Sequence, residues 1–474
     1  MAKTVKNRLN FNRISVSLIL FFVLVISYNL RNYSYSSVPL PGETDDEYSF
    51  GWLGISLIRD KYPIAWSGIS GYKNHDYQRI NVDNLFGISP NRPLFSIDKP
   101  WFDHPPLFGL LVGGYAYAKG IRNFEDASVA ILRRPMVKLG VLSVLLVFFL
   151  GYELYGFWTG LLSAALCSVI PGIVITSRLA LAENGYIPLV LCSLIFALLY
   201  IDKRKSFYWI ISIFLSSVAL LFKLSAIFLP ISLILISVLY GKKDRFYMVK
   251  TTVLSVVVAL GIFVIYGAYF DWNTFKSIFL SNSNRFYGAG AEIFRNAIMY
   301  STITGGKSLT DGWILLGWLA FFALSISSWK KDFGTTILTI VVLSYTAIFL
   351  IFGSEGYGWY RYPFYPFLII SAAKVFRDKI QSPNLLLFYS MMLLPVGTSL
   401  HRLVGIEGFQ KYVSDFRLLT LVILSIFSLD LMFNGNNKLK FIQRFLILSL
   451  LVFAIWLSIK EVYFYNIDKW YFAT

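Results

Sequence analysis

The stretch Pro106-Leu107-Phe108-Gly109-Leu110-Leu111-Val112-Gly113-Gly114-Tyr115-Ala116-Tyr117-Ala118-Lys119 decides how this chain passes through a membrane. It is apolar but only about 14 residues long, short of the ~20 that a straight span needs. Gly109, Gly113 and Gly114 interrupt it. Whether it crosses determines the side on which every later loop lies. Five basic clusters bear on the choice: Lys203-Arg204-Lys205, Lys242-Lys243-Asp244-Arg245, Lys330-Lys331, Lys374–Lys379 and Lys438–Lys440. All five face the cytoplasm together only if 106–119 does not cross. The sequence therefore predicts a short or re-entrant helix at 106–119; the alternative, a crossing, breaks the charge pattern mid-chain.

The rest of the chain agrees with a life in lipid. Of 474 residues, 56% are hydrophobic, 18% aromatic and only 15% charged, which excludes an ordinary soluble domain. The formal net charge of +17 is carried mostly by short clusters between apolar runs. That is a topology signal with some capacity for anionic lipid or phosphate, and it argues against nucleic acid as a partner. Two cysteines, Cys167 and Cys192, lie inside apolar runs and imply neither a disulfide framework nor a zinc site. Three histidines, His75, His104 and His401, exclude a histidine-rich metal centre.

Lys3, Lys6, Arg8 and Arg13 precede the first apolar run, Ile14–Leu30, which has no small-residue cleavage site after it. It reads as an uncleaved anchor running from cytoplasm to outside. Further apolar runs fall near 137–151, 157–176, 184–201, 207–222, 224–240, 251–270, 312–328, 335–353, 360–373, 384–400, 416–433 and 441–459. The expected fold is an all-α polytopic membrane bundle of about 13 spans. Residues 31–105 form an external first loop with juxtamembrane helices such as Tyr48–Arg59. The organisation reads as a catalytic membrane module over 1–270, an external loop at 271–311 and C-terminal helices over 312–474. This parity puts Arg133-Arg134, Arg178–Glu183, 271–311 and Gly353–Arg361 on the external side with the first loop. No internal repeat is visible, and the C-terminal spans lack charged midpoints, which argues against a proton-relay transporter.

The first loop opens with Glu43-Thr44-Asp45-Asp46-Glu47 and closes with Phe102-Asp103-His104-Pro105-Pro106-Leu107. Two readings fit the acidic triplet: a helix cap placed favourably on the dipole, or a general base or metal ligand. Asp103 and His104 stand before two helix-starting prolines, either as a rigid turn with a cap or as groups pinned to orient substrate or hold a metal. Lys99 stands within reach of a phosphate. Arg133 and Arg134 on the external side disobey the charge rule and call for an anionic partner. Arg178 and Glu183 either pair with each other or line a substrate. Lys223 has no acid adjacent in sequence and either snorkels or meets a lipid phosphate. Tyr360, Arg361 and Tyr362 belong to an aromatic loop suited to a membrane interface or to a sugar ring, with Arg361 as a further phosphate contact.

Taken in order, Asp46-Glu47 after the first span, Asp103-His104-Pro105-Pro106-Leu107, Ser177-Arg178 followed by Glu183, and Tyr360 with Pro363 and Pro366 form a set. The set resembles the GT-C glycosyltransferases, more narrowly the protein O-mannosyltransferase and aminoarabinose lipid A transferase relatives that use polyprenyl-phosphate sugars. The resemblance covers 14–270 and, locally, 354–373. It implies Asp46 as catalytic base with Glu47 beside it, Asp45 leaving the register open, and a phosphate-binding arginine at Arg133 or Arg134. Asp103 directly precedes His104, one residue closer than in the mannosyltransferases, and Glu183 stands where an aspartate is usual.

The resulting expectation is an integral membrane glycosyltransferase of a bacterial or archaeal plasma membrane, with a cytoplasmic N-terminus and an external active site. It takes a sugar from a polyprenyl-phosphate donor to a lipid, glycan or protein acceptor. The displacement is single and inverting, with Asp46 as base and cations among Arg133, Arg134, Lys223, Arg361 and Lys99 on the phosphate. A divalent ion is compatible with this scheme and not demanded by it. The alternatives are a glycan polymerase or ligase, and a lipid or solute transporter.

Overall fold

The computed structural model describes residues 13–73, 75–83, 95–284, 295–299, 309–351, 357–432 and 437–471. The first helix, α1 (Arg13–Asn32), presents Leu18, Phe21 and Phe22 outward, as a lipid-facing span does. The chain then forms α2 (Asp46–Arg59) and three short strands, β1 (Ala65–Trp66), β2 (Asp76–Gln78) and β3 (Phe95–Asp98). Both outer strands run antiparallel to the central β3. This small sheet corrects the all-α expectation. Its strands of two to four residues are too short for a period-two pattern to declare itself.

The stretch 106–119 forms α3 (Leu107–Ala118). At 1.5 Å per residue it is about 18 Å long, well under the ~30 Å of a hydrocarbon core. It lies against α2 at backbone contact: a Cβ on Gly54 would stand 2.0 Å from the Gly109 carbonyl oxygen, and one on Gly113 2.4 Å from that of Gly51. Just before α3, the His104 ring stacks on Phe50 of α2 at 5.5 Å. After it, Arg133 pairs with Glu47 of α2. The chain thus leaves and returns on one face, called here the Asp46 face.

Among the described residues five helices are long and apolar enough to cross a membrane, within Val129–Tyr155, Ala182–Lys203, Lys242–Ser283, Phe333–Ile351 and Asn437–Phe464. Shorter apolar helices, among them Ser206–Phe222, Leu224–Tyr240 and Gly312–Ser328, pack beside them. Contacts fix which ends meet. On the face away from Asp46, Arg204 donates to the Tyr240 and Gly241 carbonyls at 3.1 Å each. Tyr240 packs on Phe333 at 4.9 Å, the Tyr155 and Thr335 hydroxyls are 3.1 Å apart, and Lys374 lies 5.3 Å over the Tyr155 ring. Arg444 closes this set by donating to the Gln381 carbonyl at 2.7 Å. The five basic clusters therefore share one side of the bundle, opposite Asp46.

Two breaks shape the Asp46 face. Lys223, with extended backbone (φ −158°, ψ 138°), separates Ser206–Phe222 from the turn at Leu224–Ile227. Asp271 (φ −167°, ψ 104°) divides the long helix Arg245–Ser283. Its carboxylate accepts from the Asn273 and Thr274 N–H groups and the Thr274 hydroxyl, capping the second limb. That limb folds back over the sheet, where Ser277 donates to the Gly71 carbonyl at 2.8 Å. The expected external loop 271–311 thus begins as helix; its residues 285–294 and 300–308 lie outside the described residues.

Candidate functional site

The acids of the first loop separate into different environments. Asp46 is the first residue of α2 and is half-buried, whereas Asp45 precedes the helix and its side chain makes no cap bond. Glu47 is fully buried. Its carboxylate receives Arg133 Nε at 2.8 Å, Arg133 Nη2 at 2.6 Å and the Ala180 N–H at 2.7 Å. Arg133 spends its remaining nitrogen on the Tyr35 and Pro39 carbonyls, at 3.0 and 2.7 Å. A two-pronged, fully dry pair of this kind is an internal brace.

The expected phosphate contact at Arg133 and the chemical role of Glu47 therefore meet a different placement. Each group is consumed in holding the loop 33–47 to the bundle. Arg178 behaves alike: it is buried and donates to the Leu30 and Val38 carbonyls at 2.8 and 3.1 Å, not to Glu183. Arg134 bonds Asn32 Oδ1 at 2.8 Å and lies 4.4 Å over the Tyr35 ring. An irregular buried loop leaves carbonyls without ladder partners, and arginine, with five donors, is the side chain that can serve several at once.

A cavity of about 140 Å³ opens on the same face. Its lining includes the polar Asp103, His104, Lys223 and Tyr360 and the apolar Phe263, Phe275, Phe279, Ile348 and Phe349. The lining draws on both sides of the 271–311 division. Lys223 Nζ lies 2.6 Å from Glu183 Oε1 and 4.5 Å over the Tyr360 ring. Glu183 thus pairs with a lysine 40 residues away and not with Arg178. The Tyr345 hydroxyl fixes Tyr360 through its carbonyl at 2.7 Å.

Asp103 is not a helix cap. Its two carboxylate oxygens accept from the Ser67 hydroxyl at 2.6 Å and the Tyr72 hydroxyl at 2.7 Å. Tyr72 in turn accepts from the Phe102 N–H, and Asn282 donates to the Asp103 carbonyl at 3.2 Å. Loss of hydration pushes the Asp103 carboxyl up to about 7, with the charges of Asp46 and Asp98 acting the same way and the two hydroxyl donors opposing. Asp46 does not line the cavity, yet its charge reaches Asp103. Asp98 also rises, to about 6 by burial, against the pull of His75 at 3.0 Å.

Other expected residues lie apart. Lys99 is exposed and 3.6 Å from Asp76. Arg361 is buried and donates to the Asn296 carbonyl. Tyr362 lines a separate cavity of about 30 Å³ beside Arg31 and Asn184. Of the expected loop Gly353–Arg361, residues 353–356 lie outside the described residues. Among the described residues no three His, Cys, Asp or Glu side chains come together to hold a metal ion. Ser67, Tyr72, Asn282 and the phenylalanine wall carry no sequence signal of their own; only the fold brings them to Asp103.

Residues 103–270 match the model of the dolichyl-phosphate-mannose-protein mannosyltransferase family. The fold is similar to that of ArnT from Cupriavidus metallidurans in the apo state, at 14% identity and a TM-score of 0.56 over 95% of this chain and 77% of that one. The same protein bound to undecaprenyl phosphate aligns at 13% identity and a TM-score of 0.53, covering 96% and 78%. The Archaeoglobus fulgidus oligosaccharyltransferase aligns at 13% identity and a TM-score of 0.56 over 97% of this chain but only 56% of its own. No curated protein sequence matches. The bundle and its first loop share the fold of these membrane proteins, and residues 103–270 carry the match to the mannosyltransferase family model.

Proposed function

We propose that the chain moves a sugar from a polyprenyl-phosphate carrier to an acceptor hydroxyl at the Asp46 face. The observation that carries this reading is the mixed lining of the cavity, which combines phenylalanine and isoleucine side chains with Lys223, His104, Asp103 and Tyr360. An isoprenoid phosphate has the same two parts, an apolar chain and an anionic head. The similarity of the fold to a protein solved with undecaprenyl phosphate supports the choice of donor.

In the proposed reaction the acceptor hydroxyl gives its proton to Asp46 as its oxygen attacks the anomeric carbon. The bond from that carbon to the phosphate oxygen breaks on the opposite face, so the centre inverts, and the phosphate leaves with the electron pair. Lys223 takes the developing charge: Glu183 occupies one of its ammonium donors and leaves others for phosphate oxygens. With Arg133 and Arg178 spent on the loop, Lys223 is the cation best placed for this role. The gathering of the basic clusters on the far side supports a cytoplasmic assignment for that face and an external one for the cavity, in a bacterial or archaeal plasma membrane.

The test is incubation of the purified protein with a panel of undecaprenyl-phosphate-linked hexoses and pentoses and with envelope lipid, glycan and protein fractions as acceptors. Release of undecaprenyl phosphate that needs both an acceptor and Lys223 is the expected result. No release from any donor overturns the reading.

A further inference from the structure

Glu43 stands three residues before Asp46, in a turn where Gly42 has a φ of +83° and the Glu43 N–H donates to the Leu40 carbonyl at 3.2 Å. The backbone on either side is fixed by buried cations: Arg178 and Arg133 hold the Val38 and Pro39 carbonyls, and Arg133 holds Glu47. Between these anchors runs the segment that carries Asp45 and Asp46. It is gripped from a distant part of the chain. Trp470 Nε1 donates to both Glu43 carboxylate oxygens, at 3.0 Å each. The indole is only 1% exposed, and Tyr465 meets it edge-on at 5.5 Å. Its short helix, Ile467–Tyr471, is closed by the Lys469 N–H on Asn466 Oδ1 at 2.9 Å. The same segment touches the start of the loop, where the Tyr33 hydroxyl donates to the Tyr463 carbonyl at 3.3 Å.

We infer that Trp470 is a positioning residue for Asp46, acting through Glu43. The inference rests on the reading of Asp46 as the base. An N–H shared by both oxygens of a carboxylate is a charge-assisted bond, stronger than a neutral one. The indole that makes it is immobilised by burial, so it fixes where the Glu43 side chain sits and with it the pitch of the turn. A general base works only when held in register with its proton donor, and a displacement of about 1 Å costs on the order of a hundredfold in rate. Arg133 and Arg178 secure the ends of the segment; Trp470 secures its middle.

The experiment uses the full chain in detergent and whichever undecaprenyl-phosphate-linked sugar the wild type consumes. Trp470→Phe keeps the ring and removes the donor; Glu43→Gln keeps an acceptor oxygen and Glu43→Ala does not. Trp470→Phe and Glu43→Ala are each expected to lower kcat about tenfold with the donor KM within about twofold, and the double variant to fall no further than either. Glu43→Gln is expected to restore most of the wild-type rate. A Trp470→Phe kcat within twofold of wild type, or losses that multiply in the double variant, overturns the inference. If the wild type consumes no donor, the functional reading falls separately. Amide exchange across Gly42–Tyr48 then decides the tether: faster in Trp470→Phe upholds it, unchanged overturns it.

Discussion

Lys223 Nζ and Glu183 Oε1 lie 2.6 Å apart, each side chain almost wholly out of water, and Lys223 lines the cavity. Lys223 sits at the break between two helices and Glu183 in the first turn of a third, so the pair ties three membrane segments at the point where a phosphate would arrive. The observed tie and the proposed role as charge acceptor make two separable demands on Lys223.

Lys223→Ala is expected to abolish donor turnover and also to destabilise the protein by about 3–5 kcal/mol, because the buried Glu183 loses the ammonium 2.6 Å away. Glu183→Gln combined with Lys223→Met removes both buried charges together and is expected to recover the thermal midpoint without recovering turnover. Recovery of both would remove Lys223 from the chemistry.

Asp46→Asn is expected to lower kcat by roughly 10²–10⁴-fold, the range of a lost general base. The half-buried position of Asp46, outside the Glu47–Arg133 brace, predicts an unchanged elution profile and thermal midpoint. Unaltered turnover in the purified variant removes Asp46 from its role.

Asp103 gives the reaction a pH signature. Its carboxyl is raised to about 7, so it is ionised above that pH and protonates as pH falls through it. The ionised form is the one that accepts from both Ser67 and Tyr72, and the rate is expected to decline below about pH 7. Those hydroxyls stabilise the anion, so Ser67→Ala and Tyr72→Phe should each move the acidic limb to higher pH. For stability the sign is opposite. A folded-state value above the unfolded one means that the native protein binds the extra proton between about 4 and 7, so this group's contribution weakens as pH rises through that window. A limb that stays in place in both variants would show that another group controls it.

Arg133→Ala is expected to cost about 3–5 kcal/mol, since it strands Glu47 without a counter-charge in the interior. Arg133→Lys should not rescue it, because an ammonium cannot meet the carboxylate two-pronged while also serving the Tyr35 and Pro39 carbonyls. Thermal unfolding in detergent reads this directly. A stable Arg133→Ala protein with a raised donor KM would return Arg133 to the phosphate.

The sequence carried the broad plan because membranes impose it. Apolar runs, the shortness of 106–119 and the break at Lys223 are properties of consecutive residues. So were the acids and Asp103-His104 that the fold gathers on one face. The brace was hidden. Nothing near Glu47 or Arg133 in sequence says that they meet across 86 positions, and an arginine next to lipid reads as a phosphate ligand until its carbonyl partners are seen. Arg178 is the one partner that adjacency offers Glu183, for the same reason: Lys223, 40 positions away, is not visible from the sequence. The three strands escaped because two to four residues cannot show an alternation.

The break at Asp271 has a mechanical corollary. One limb of that helix exposes Leu254, Val257, Val258 and Ile265 on its outer face, while the other supplies Phe275 and Phe279 to the cavity. A bilayer that thickens or thins tilts the first limb. The two limbs meet at the single capped joint at Asp271, so a change of tilt in the first would be felt first at Phe275 and Phe279 of the cavity lining.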